Sequence, residues 1–397
     1  MKRILLIDRF FFPDEQATSI YLTELTAALG ARFCFEILCG PPALITERGN
    51  SVHPVKIHQV FSLNFPKRLL FARFLNDLSF LLSAFCCGLT LSRPNLIVSQ
   101  TSPPGIWWVA FLLSLWHRVP WVHVCQDLFP DNLKAFSHRN GKLPSWFEQA
   151  NTSILKQSKK LVALGRDMED HLATKGFDGA LLRQISNWVD LDFIRPFPRK
   201  NSFSEKNGLV NKFVILYAGN LGRIYNFEDA LEAARALRNY PKVVFVFVGE
   251  GALKEKLMQD VRNWELGNIT LLPFEPRYRV PEVLASADVH LIFLKKGMAG
   301  LSVPSKIYSA LASGRPTIAC VEEESEIARL VRESNSGFVV PPGKPDEFAQ
   351  AILRLYEDKE LREKFGRNAR AYAEAQDFQN TAFRDYEKLF EEVLAEG

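Results

Sequence analysis

Glycines that follow two predicted strands carry the strongest chemical signal in this sequence. Gly219 and Gly222 lie in a turn after the first of these strands, and Gly249 and Gly251 lie in a turn after the second. Glycine allows the backbone to approach a phosphate group closely, and a helix that follows such a turn presents free amides and its positive end. Two such turns in successive strand-helix units predict a site for a nucleoside diphosphate at the carboxyl edge of a parallel sheet.

Two basic residues are placed to bind such an anion. Arg223 follows the first glycine turn, and Lys306 falls in the first turn of a helix predicted over residues 304–313. The helix dipole disfavours a cation at this end unless an anion binds there. The sequence therefore predicts Arg223 and Lys306 as phosphate ligands, with a solvated surface lysine as the alternative for Lys306.

These turns belong to a chain in which short β-branched or aromatic runs alternate with helical patterns. Such alternation is typical of parallel sheets with crossover helices, so the predicted fold class is α/β with two doubly wound, Rossmann-like domains. The sequence predicts a first domain over residues 1–187, a linker over 188–212, a second domain over 213–375 and a helical tail over 376–397 that crosses back to the first domain. The predicted strands cover residues 4–8, 35–39, 56–61, 96–99, 121–125, 160–163, 213–218, 243–248, 269–272, 289–293 and 317–320.

Composition limits the classes of partner. The 397 residues are 47% hydrophobic and 24% charged, which excludes disordered, collagen-like and disulfide-rich classes. A net charge of +4 is too small to favour nucleic acid as the partner. The excess positive charge lies in residues 1–190, where 20 Lys and Arg and 15 Asp and Glu give a net charge of +5. The remaining residues have 29 Lys and Arg and 30 Asp and Glu, a net charge of −1.

No metal site is predicted. The six cysteines have neither CxxC spacing nor histidines at ligand intervals, and the histidines form no HxxxH pattern. Asp190-Leu191-Asp192 has the spacing of a metal-binding DxD, but it follows no predicted diphosphate loop, so a structural role is expected. His123, near a strand end, is interpreted either as a residue that faces a cleft or as a satisfied core histidine.

Two uncharged stretches, residues 78–91 and 94–117, raise the question of a membrane span. The first is short and the second contains a polar run, so both are predicted as buried helices. Residues 61–74 suit an anionic lipid surface, with a solvated amphipathic helix as the alternative. The aromatic and basic side chains there are Phe61, Phe65, Lys67, Arg68, Phe71, Arg73 and Phe74. The N-terminus is interpreted as a strand, so we expect no signal peptide and a cytoplasmic chain.

Several phrases of the sequence resemble one enzyme family over essentially the whole chain. The second half resembles the donor domain of the family 4 retaining glycosyltransferases, whose GT-B fold has two Rossmann-like domains facing a central cleft. In the first half, the phrases at 11–15 and 126–131 resemble the acceptor domain of that family. The matching phrases of the second half are YAGNLGR at 217–223, VGEGAL at 248–253, SADV at 286–289 and PSKIYSALASGRP at 304–316. The nearest look-alikes are bacterial enzymes of colanic-acid and O-antigen biosynthesis.

The resemblance implies a function and a set of site residues. It implies retaining transfer of a sugar from a nucleoside-diphosphate donor, with UDP expected, to a lipid-linked or growing saccharide in cell-surface polysaccharide biosynthesis, without a metal or other cofactor. The enzyme is expected in the cytoplasm or at the inner face of the cell membrane. Arg223 and Lys306 are expected to clamp the diphosphate, and Asp127 to lie near the acceptor hydroxyl or donor sugar, with a helix cap or an arginine partner as its alternative role. The other expected donor-binding residues are Gly219, Asn220, Gly222, Gly249, Glu250, Gly251, Phe274, Leu301, Ser302, Ser305 and Ser309.

One departure from the family pattern is large. The family commonly carries two glutamates eight positions apart, and Leu301 and Ser309 stand at those positions here. Ribose binding must then use another group, and the sugar contact is expected to pass to backbone amides of residues 298–302. Two alternatives remain open: a noncatalytic partner subunit that retains the fold, and a nucleotide-sugar epimerase with the same architecture.

Overall fold

The computed structural model describes residues 1–42, 55–65, 70–136 and 145–396. The chain divides into two compact units, each with its own parallel sheet. The first unit comprises Met1–Asn187 together with Asn380–Gly397, and the second comprises Trp188–Gln379. Each half of the chain therefore forms a Rossmann-like sheet, as the alternation of strand and helix patterns predicts.

The sheet of the first unit has seven strands within the described residues, in the order β3-β2-β1-β4-β5-β6-β7. Its central strands are apolar runs that are buried on both faces, as a parallel sheet covered by helices requires. The strands are β1 Lys2–Ile7, β2 Phe33–Cys39, β3 Lys56–Gln59, β4 Leu96–Ser99, β5 Trp121–Cys125, β6 Lys160–Ala163 and β7 Leu182–Gln184. The helices that precede residue 188 are α1 Ala17–Leu29, α2 Leu70–Thr90, α3 Ile106–His117, α4 Asp131–Phe136, α5 Ser145–Leu155 and α6 Arg166–Thr174.

The second unit has a six-stranded parallel sheet in the order β10-β9-β8-β11-β12-β13. The strands are β8 Phe213–Ala218, β9 Val243–Val248, β10 Ile269–Leu272, β11 Val289–Phe293, β12 Thr317–Cys320 and β13 Gly337–Val340. The helices that follow residue 200 are α7 Ser202–Lys206, α8 Glu228–Ala236, α9 Lys254–Asn263, α10 Val280–Ala285, α11 Lys306–Ala312, α12 Glu326–Glu333, α13 Pro345–Glu357, α14 Lys359–Gln376 and α15 Phe378–Glu396. Because β8, β9 and β11 are neighbours, the loops that follow them meet at one edge of the sheet.

Two strands and one ordered segment are not predicted from the sequence. β7 and β13 lie at the edges of their sheets; β7 has only three residues, two of them polar, and three of the four residues of β13 are half-buried. The predicted linker over 188–212 belongs to the second unit, where α7 starts with a capping box at Asn201 and Phe203 is fully buried. Its prolines and charges therefore mark an ordered segment that packs on the second sheet.

The C-terminal helix α15 packs on the first unit from Asn380 onward. Phe390 is fully buried, and its ring meets that of Phe33 edge to face at a centroid distance of 5.8 Å. Glu387 pairs with Arg32 at 2.9 Å, and Glu392 pairs with Arg183 in β7. The tail thus contributes core residues and ion pairs to the sheet that begins the chain.

Helices α2 and α3 differ from the prediction of two buried helices. α3 buries one face, but α2 exposes much of its length. Within the described residues, Phe71–Thr90 is the one helix long and apolar enough to cross a membrane, and only 28% of its most apolar window is buried. The prediction of a buried helix is therefore wrong for most of α2, because hydropathy alone does not show which side chains the folded chain buries. Lys67 and Arg68, from the aromatic and basic segment, lie outside the described residues.

Candidate active site

The loops after β8 and β9 pack against each other at the carboxyl edge of the second sheet. A Cβ atom at Gly249 would lie 2.0 Å from the carbonyl oxygen of Gly219, and one at Gly251 would lie 2.5 Å from that of Leu221. Both glycines also have positive φ angles, which disfavour other residues. Gly249 and Gly251 are therefore required by contact between two backbones, a role that differs from the close approach to phosphate expected from the sequence.

The first glycine loop offers free backbone donors. The amide of Gly219 donates to the carbonyl of Val248 at 2.8 Å, so it is not available to a ligand. In the part of the chain that the structure describes, the amides of Asn220, Gly222 and Arg223 donate no hydrogen bond. These three amides, and not that of Gly219, are therefore available to donate to a ligand.

Lys306 lies directly over this loop. α11 begins at Lys306, and a Cβ atom at Gly219 would lie 2.6 Å from the lysine Cε, so the glycine makes room for this side chain. Lys306 Nζ donates to the hydroxyl of Tyr225 at 3.1 Å and lies 4.4 Å from the centroid of that ring. It also lies 5.1 Å from the ring centroid of Tyr217. Two aromatic faces and a hydroxyl therefore hold the ammonium group at the end of β8.

Tyr217, one of the two tyrosines that hold Lys306, is neutral. Burial, together with Tyr225, raises the pKa of Tyr217 well above its usual value, and its hydroxyl donates to the carbonyl of Asn220 at 2.6 Å. Among the described residues, no carboxylate forms an ion pair with Lys306. The positive charge at this edge is therefore held in place without being neutralised, which favours an anionic ligand.

A cationic group that sequence reasoning missed lies beside Arg223. Lys295 follows β11 by two positions, and its amide donates to the carbonyl of Ile224 at 2.9 Å, which joins it to the glycine loop. Burial, Lys256 and Arg223 together lower the pKa of the Lys295 ammonium. The signal that could have found Lys295 is its place immediately after a strand, at the same sheet edge as the glycine turns.

A cavity of about 160 Å³ opens beside Lys306 and is lined mainly by apolar groups. Phe274 and Ser309, both predicted to bind the donor, lie in its wall. Glu275, in the turn that the family resemblance implies to lie near the base and ribose, contributes a carboxylate to the wall and pairs with Arg279 at 3.2 Å. His290, also in the wall, is buried and bonded to Ser313, and burial and Arg315 lower its pKa to about 3. The cavity thus combines an apolar wall with a carboxylate, a hydroxyl and a cation.

The remaining donor residues predicted from the sequence lie in different environments. Glu250 is exposed and pairs with Lys254, and Ser305 precedes α11. Leu301 and Ser302 are buried. No contact in the structure tests their roles in binding a donor, so these roles stay predictions.

The prediction that backbone amides of residues 298–302 contact the sugar is largely wrong. The amides of Met298 and Leu301 donate to the carbonyls of Lys295 and Met298, at 3.2 and 3.0 Å. The amide of Ala299 donates to Glu322 Oε2 at 3.3 Å, and that of Gly297 to the same oxygen at 2.8 Å. These donors stabilise the loop itself, so they are not free for a sugar.

In the first unit, Asp127 follows β5 in a half-buried position. The hydroxyl of Thr101 accepts a hydrogen bond from the amide of Gln126 at 2.9 Å and lies 3.5 Å from the amide of Asp127. His123, four positions earlier in β5, is buried and hydrogen-bonded to Ser99 at 2.9 Å, and burial lowers its pKa to about 3. His123 is therefore a neutral core histidine, and the alternative in which it faces a cleft is wrong.

Sequence reasoning also missed a buried carboxyl at the end of β1. Asp8 is fully buried, and its Oδ1 accepts the amide of Phe10 at 2.8 Å. Its Oδ2 has no hydrogen-bond partner among the described residues, and neither has Oε1 of Gln100, which follows β4. Burial raises the pKa of Asp8 well above its usual value, because it disfavours the charged carboxylate.

The DxD phrase forms a turn. Oδ1 of Asp190 accepts the amides of Asp192 and Phe193, both at 2.9 Å. Across the described ranges, no three or more His, Cys, Asp or Glu side chains cluster in a way that could hold a metal ion. The expectation of transfer without a metal stays a prediction.

Comparisons with known proteins decide the family. Residues 17–188 match the model described as "Glycosyl transferase 4-like domain", and residues 199–372 match the model described as "Glycosyl transferases group 1". The chain belongs to the family 4-like GT-B glycosyltransferases. Among its relatives, "Probable glycosyltransferase WbjE" of Pseudomonas aeruginosa is 27% identical over 90% of each chain. Others carry names from colanic acid and amylovoran biosynthesis, so this glycosyltransferase is one of polysaccharide biosynthesis.

One further sequence relative and one solved structure are similar to this glycosyltransferase. "UDP-Gal:alpha-D-GlcNAc-diphosphoundecaprenol alpha-1,3-galactosyltransferase" of Escherichia coli is 30% identical over 52% of this chain and 53% of its own length. The crystal structure of Anabaena Alr3699/HepE in complex with UDP-glucose superposes with a TM-score of 0.74 and 17% identity, over 98% of this chain and all of that one. The structural likeness establishes the GT-B fold that the sequence predicts.

Proposed function

We propose that this glycosyltransferase moves a hexose or amino-deoxyhexose from a UDP-sugar to a lipid-linked or growing saccharide, with retention at the anomeric carbon. The observation that carries the proposal is Lys306, held by Tyr217 and Tyr225 over Gly219 and beside a cavity. A fixed cation without a carboxylate partner in the described residues suits a diphosphate. The family resemblance supports retention and a reaction without a metal.

The chemistry follows from the charge that develops on the leaving group. As the bond between the anomeric carbon and the diphosphate oxygen breaks, negative charge grows on the phosphate oxygens. Lys306, Arg223 and the free amides of the glycine loop would stabilise that charge, because fixed donors and cations act strongly where charge develops. Lys295 adds a third positive charge beside Arg223. These cations supply the role that a divalent ion has in other glycosyl transfers.

The cavity beside Lys306 would hold the nucleoside. Phe274 is partly exposed and offers a ring against which a base can pack. Glu275 would accept hydrogen bonds from the two ribose hydroxyls. It would thus take the role of the glutamate that the family commonly has where this chain has Ser309. UDP is proposed as the nucleotide because the names of a relative and of a structure of the same fold include UDP-linked sugars.

The acceptor is proposed to meet the first unit. The diphosphoundecaprenol in the name of the galactosyltransferase relative supports a lipid-linked saccharide. Asp127 is proposed to orient the acceptor hydroxyl or the donor sugar, since it follows a central strand at the carboxyl edge of its sheet. With a lipid-linked acceptor, we propose that the enzyme acts in the cytoplasm at the inner face of the membrane.

A thermal-shift screen against UDP-, GDP-, ADP- and dTDP-sugars tests the donor. Binding raises the melting temperature as the ratio of ligand concentration to dissociation constant grows, and UDP-sugars should give the largest rise. Transfer from the best donor should then fall about 100-fold or more in Lys306→Ala. Lys359→Ala removes an exposed lysine of α14 and is the matched control. Unchanged transfer in Lys306→Ala would overturn the proposal, and NMR of the product's anomeric proton tests retention.

A noncatalytic subunit is the second candidate. It is favoured by Leu301, a buried apolar residue at a position where the family commonly has a carboxylate. The two candidates differ in one simple outcome: transfer or donor hydrolysis by the isolated chain would eliminate the noncatalytic one. The epimerase alternative has less support, because Glu275 is the one carboxylate among the described residues that line the cavity.

A further inference from the structure

We infer that one face of the first unit, formed by α2 and α3, docks the enzyme flat on an anionic phospholipid membrane. The inference deepens the proposed function and rests on it only for the lipid-linked nature of the acceptor. The lipid face consists of Phe71, Phe74, Leu78, Leu82, Leu115 and Trp116. It differs from the segment 61–74 suggested by the sequence, because it follows two packed helices and extends well beyond residue 74.

Helix α2 has two faces of different character. One face points to the core through residues spaced four apart, and the other exposes large apolar side chains at intervals of three or four. The buried residues are Asn76, Phe80, Ala84 and Gly88, and the exposed ones are Phe71, Phe74, Leu78 and Leu82. Phe71 is 72% exposed and Leu82 is 57% exposed. Large apolar patches are uncommon on the surfaces of soluble monomers, so this face is a candidate interaction site.

Helix α3 lies beside α2 and continues the apolar surface. A Cβ atom at Gly88 would lie 2.4 Å from Cδ1 of Leu113, so the absence of a side chain lets the helices pack closely. Nε2 of His117 lies 2.9 Å from the carbonyl oxygen of Gly88. On this packed pair, Leu115 and Trp116 are 58% and 63% exposed. Tryptophan is enriched at membrane interfaces, where its ring meets both lipid and water.

The charges around the lipid face favour an anionic membrane as its occupant. Arg73 lies exposed near the start of α2, and Arg93 and Arg118 lie exposed just beyond the ends of the two helices. α3 has no acidic residue, and the single acidic residue of α2, Asp77, pairs with Arg9. Basic residues beside an apolar face complement anionic headgroups. A second copy of this chain would bring the same arginines together, which disfavours a symmetric dimer through this face.

The anchoring of α2 favours a helix that lies in the membrane plane over one that crosses it. The side chain of Asn76 bonds to both the amide and the carbonyl of Phe65, at 2.9 and 3.0 Å. Phe80, Ala84 and Gly88 belong to the interior of the first unit. A membrane crossing would remove these residues from the core, whereas a surface position exposes only the lipid face to lipid.

Co-sedimentation with lipid vesicles tests this inference. The full chain should bind vesicles of phosphatidylcholine with 30 mol% phosphatidylglycerol, and binding should weaken in pure phosphatidylcholine or at high salt. The double variant Phe74→Glu, Leu82→Glu should lose at least tenfold in the vesicle partition coefficient. Met258→Glu, at an exposed apolar position of α9, is the matched control and should bind as the wild type does.

A second readout covers the case in which the double variant fails to fold. Part of the tryptophan fluorescence of the wild type should be quenched by lipids brominated near the headgroup, and Trp116→Phe should remove most of that quenching. Two binding results would overturn the inference: no binding of the wild type to anionic vesicles, or equal binding by a folded double variant. It would also be overturned by a wild-type dimer that the double variant dissociates, or by resistance of the bound protein to alkaline carbonate extraction. UDP binding by the same samples reports on the proposed function separately, because the donor residues lie in the other unit.

Discussion

At the scale of single residues, the site depends on contacts between side chains far apart in the sequence. Gly219 and Lys306 are both recognisable from the sequence, but their mutual contact is not, because they lie 87 positions apart. Tyr225 carries no local signal, since a tyrosine after a glycine turn is as compatible with the core as with a site. Its role follows only from the 3.1 Å distance between its hydroxyl and Lys306 Nζ.

Tyr225→Phe tests whether this hydroxyl positions Lys306. The aromatic face remains, so the fold should persist, while the ammonium loses its hydrogen-bond acceptor. We expect kcat to fall about tenfold, the equivalent of one modest hydrogen bond to a charged group, with UDP affinity reduced and the melting temperature within about 2 °C. Tyr240→Phe, on a ring that packs against Tyr356, is the matched control. A purely structural role would lower the melting temperature without changing UDP affinity.

Asp8→Asn tests the buried carboxyl. The pKa of Asp8 is raised in the native state, so between about pH 4, where an unfolded aspartate ionises, and the native pKa the native state binds one more proton. Wild-type stability should therefore decline through this window as pH rises, and Asp8→Asn should lack that decline because its amide does not ionise. Melting temperatures from pH 4 to 8 would show the gap between Asp8→Asn and the wild type shifting in favour of the variant as pH rises. A constant gap would contradict the account.

At the scale of elements, the buried strands were predictable and the loops between them only in part. β8, β9, β10, β11 and β12 have the predicted bounds, because each is a short apolar run with clear ends. The edge strands β7 and β13 were missed, because β7 is short and mostly polar and β13 is only half-buried over most of its length. The glycine turns were predicted at the correct sheet edge. Their packing against each other was not, since it depends on the separation of two neighbouring strands.

Gly249→Ala tests the packing of the two loops. The new Cβ would lie 2.0 Å from the carbonyl oxygen of Gly219 at a φ of +155°, so the loops must separate. We expect a loss of about 3 kcal/mol in the free energy of unfolding, in the range of other strained backbone substitutions. Gly267→Ala, where no atom lies within 4 Å of the new Cβ, should change stability by less than about 0.5 kcal/mol. Equal losses in urea unfolding of the two variants would refute this explanation.

At the scale of the whole molecule, the two-sheet architecture was predictable, but the assignment of its termini to units depended on long-range contacts. The alternation of strand and helix patterns indicates two Rossmann-like sheets. The residues of α15 that bury on the first unit are compatible with many docking positions, and only their contacts with Phe33, Arg32 and Arg183 fix the position. The exposed apolar surface of α2 and α3 was underestimated for a related reason, because the exposure of a side chain depends on long-range packing in the folded chain.

Truncation after Gln379 tests the assignment of the tail. The first unit would lose the buried Phe390 and the ion pairs to Arg32 and Arg183. Hydrogen exchange should therefore speed up in β2 and β7 by at least tenfold, with little change in β8 and β9. Equal acceleration in both sheets, or none in β2, would be inconsistent with a tail that stabilises the first unit.

The central claim is that Lys306 and Arg223 bind the diphosphate of a nucleotide donor, and calorimetric titration with UDP tests it most directly. The account predicts that UDP binds the wild type and the control Lys359→Ala equally, and that Lys306→Ala and Arg223→Ala each bind at least tenfold more weakly, a loss of about 1.4 kcal/mol. Failure of the wild type to bind UDP, or wild-type affinity in both site variants, would contradict it.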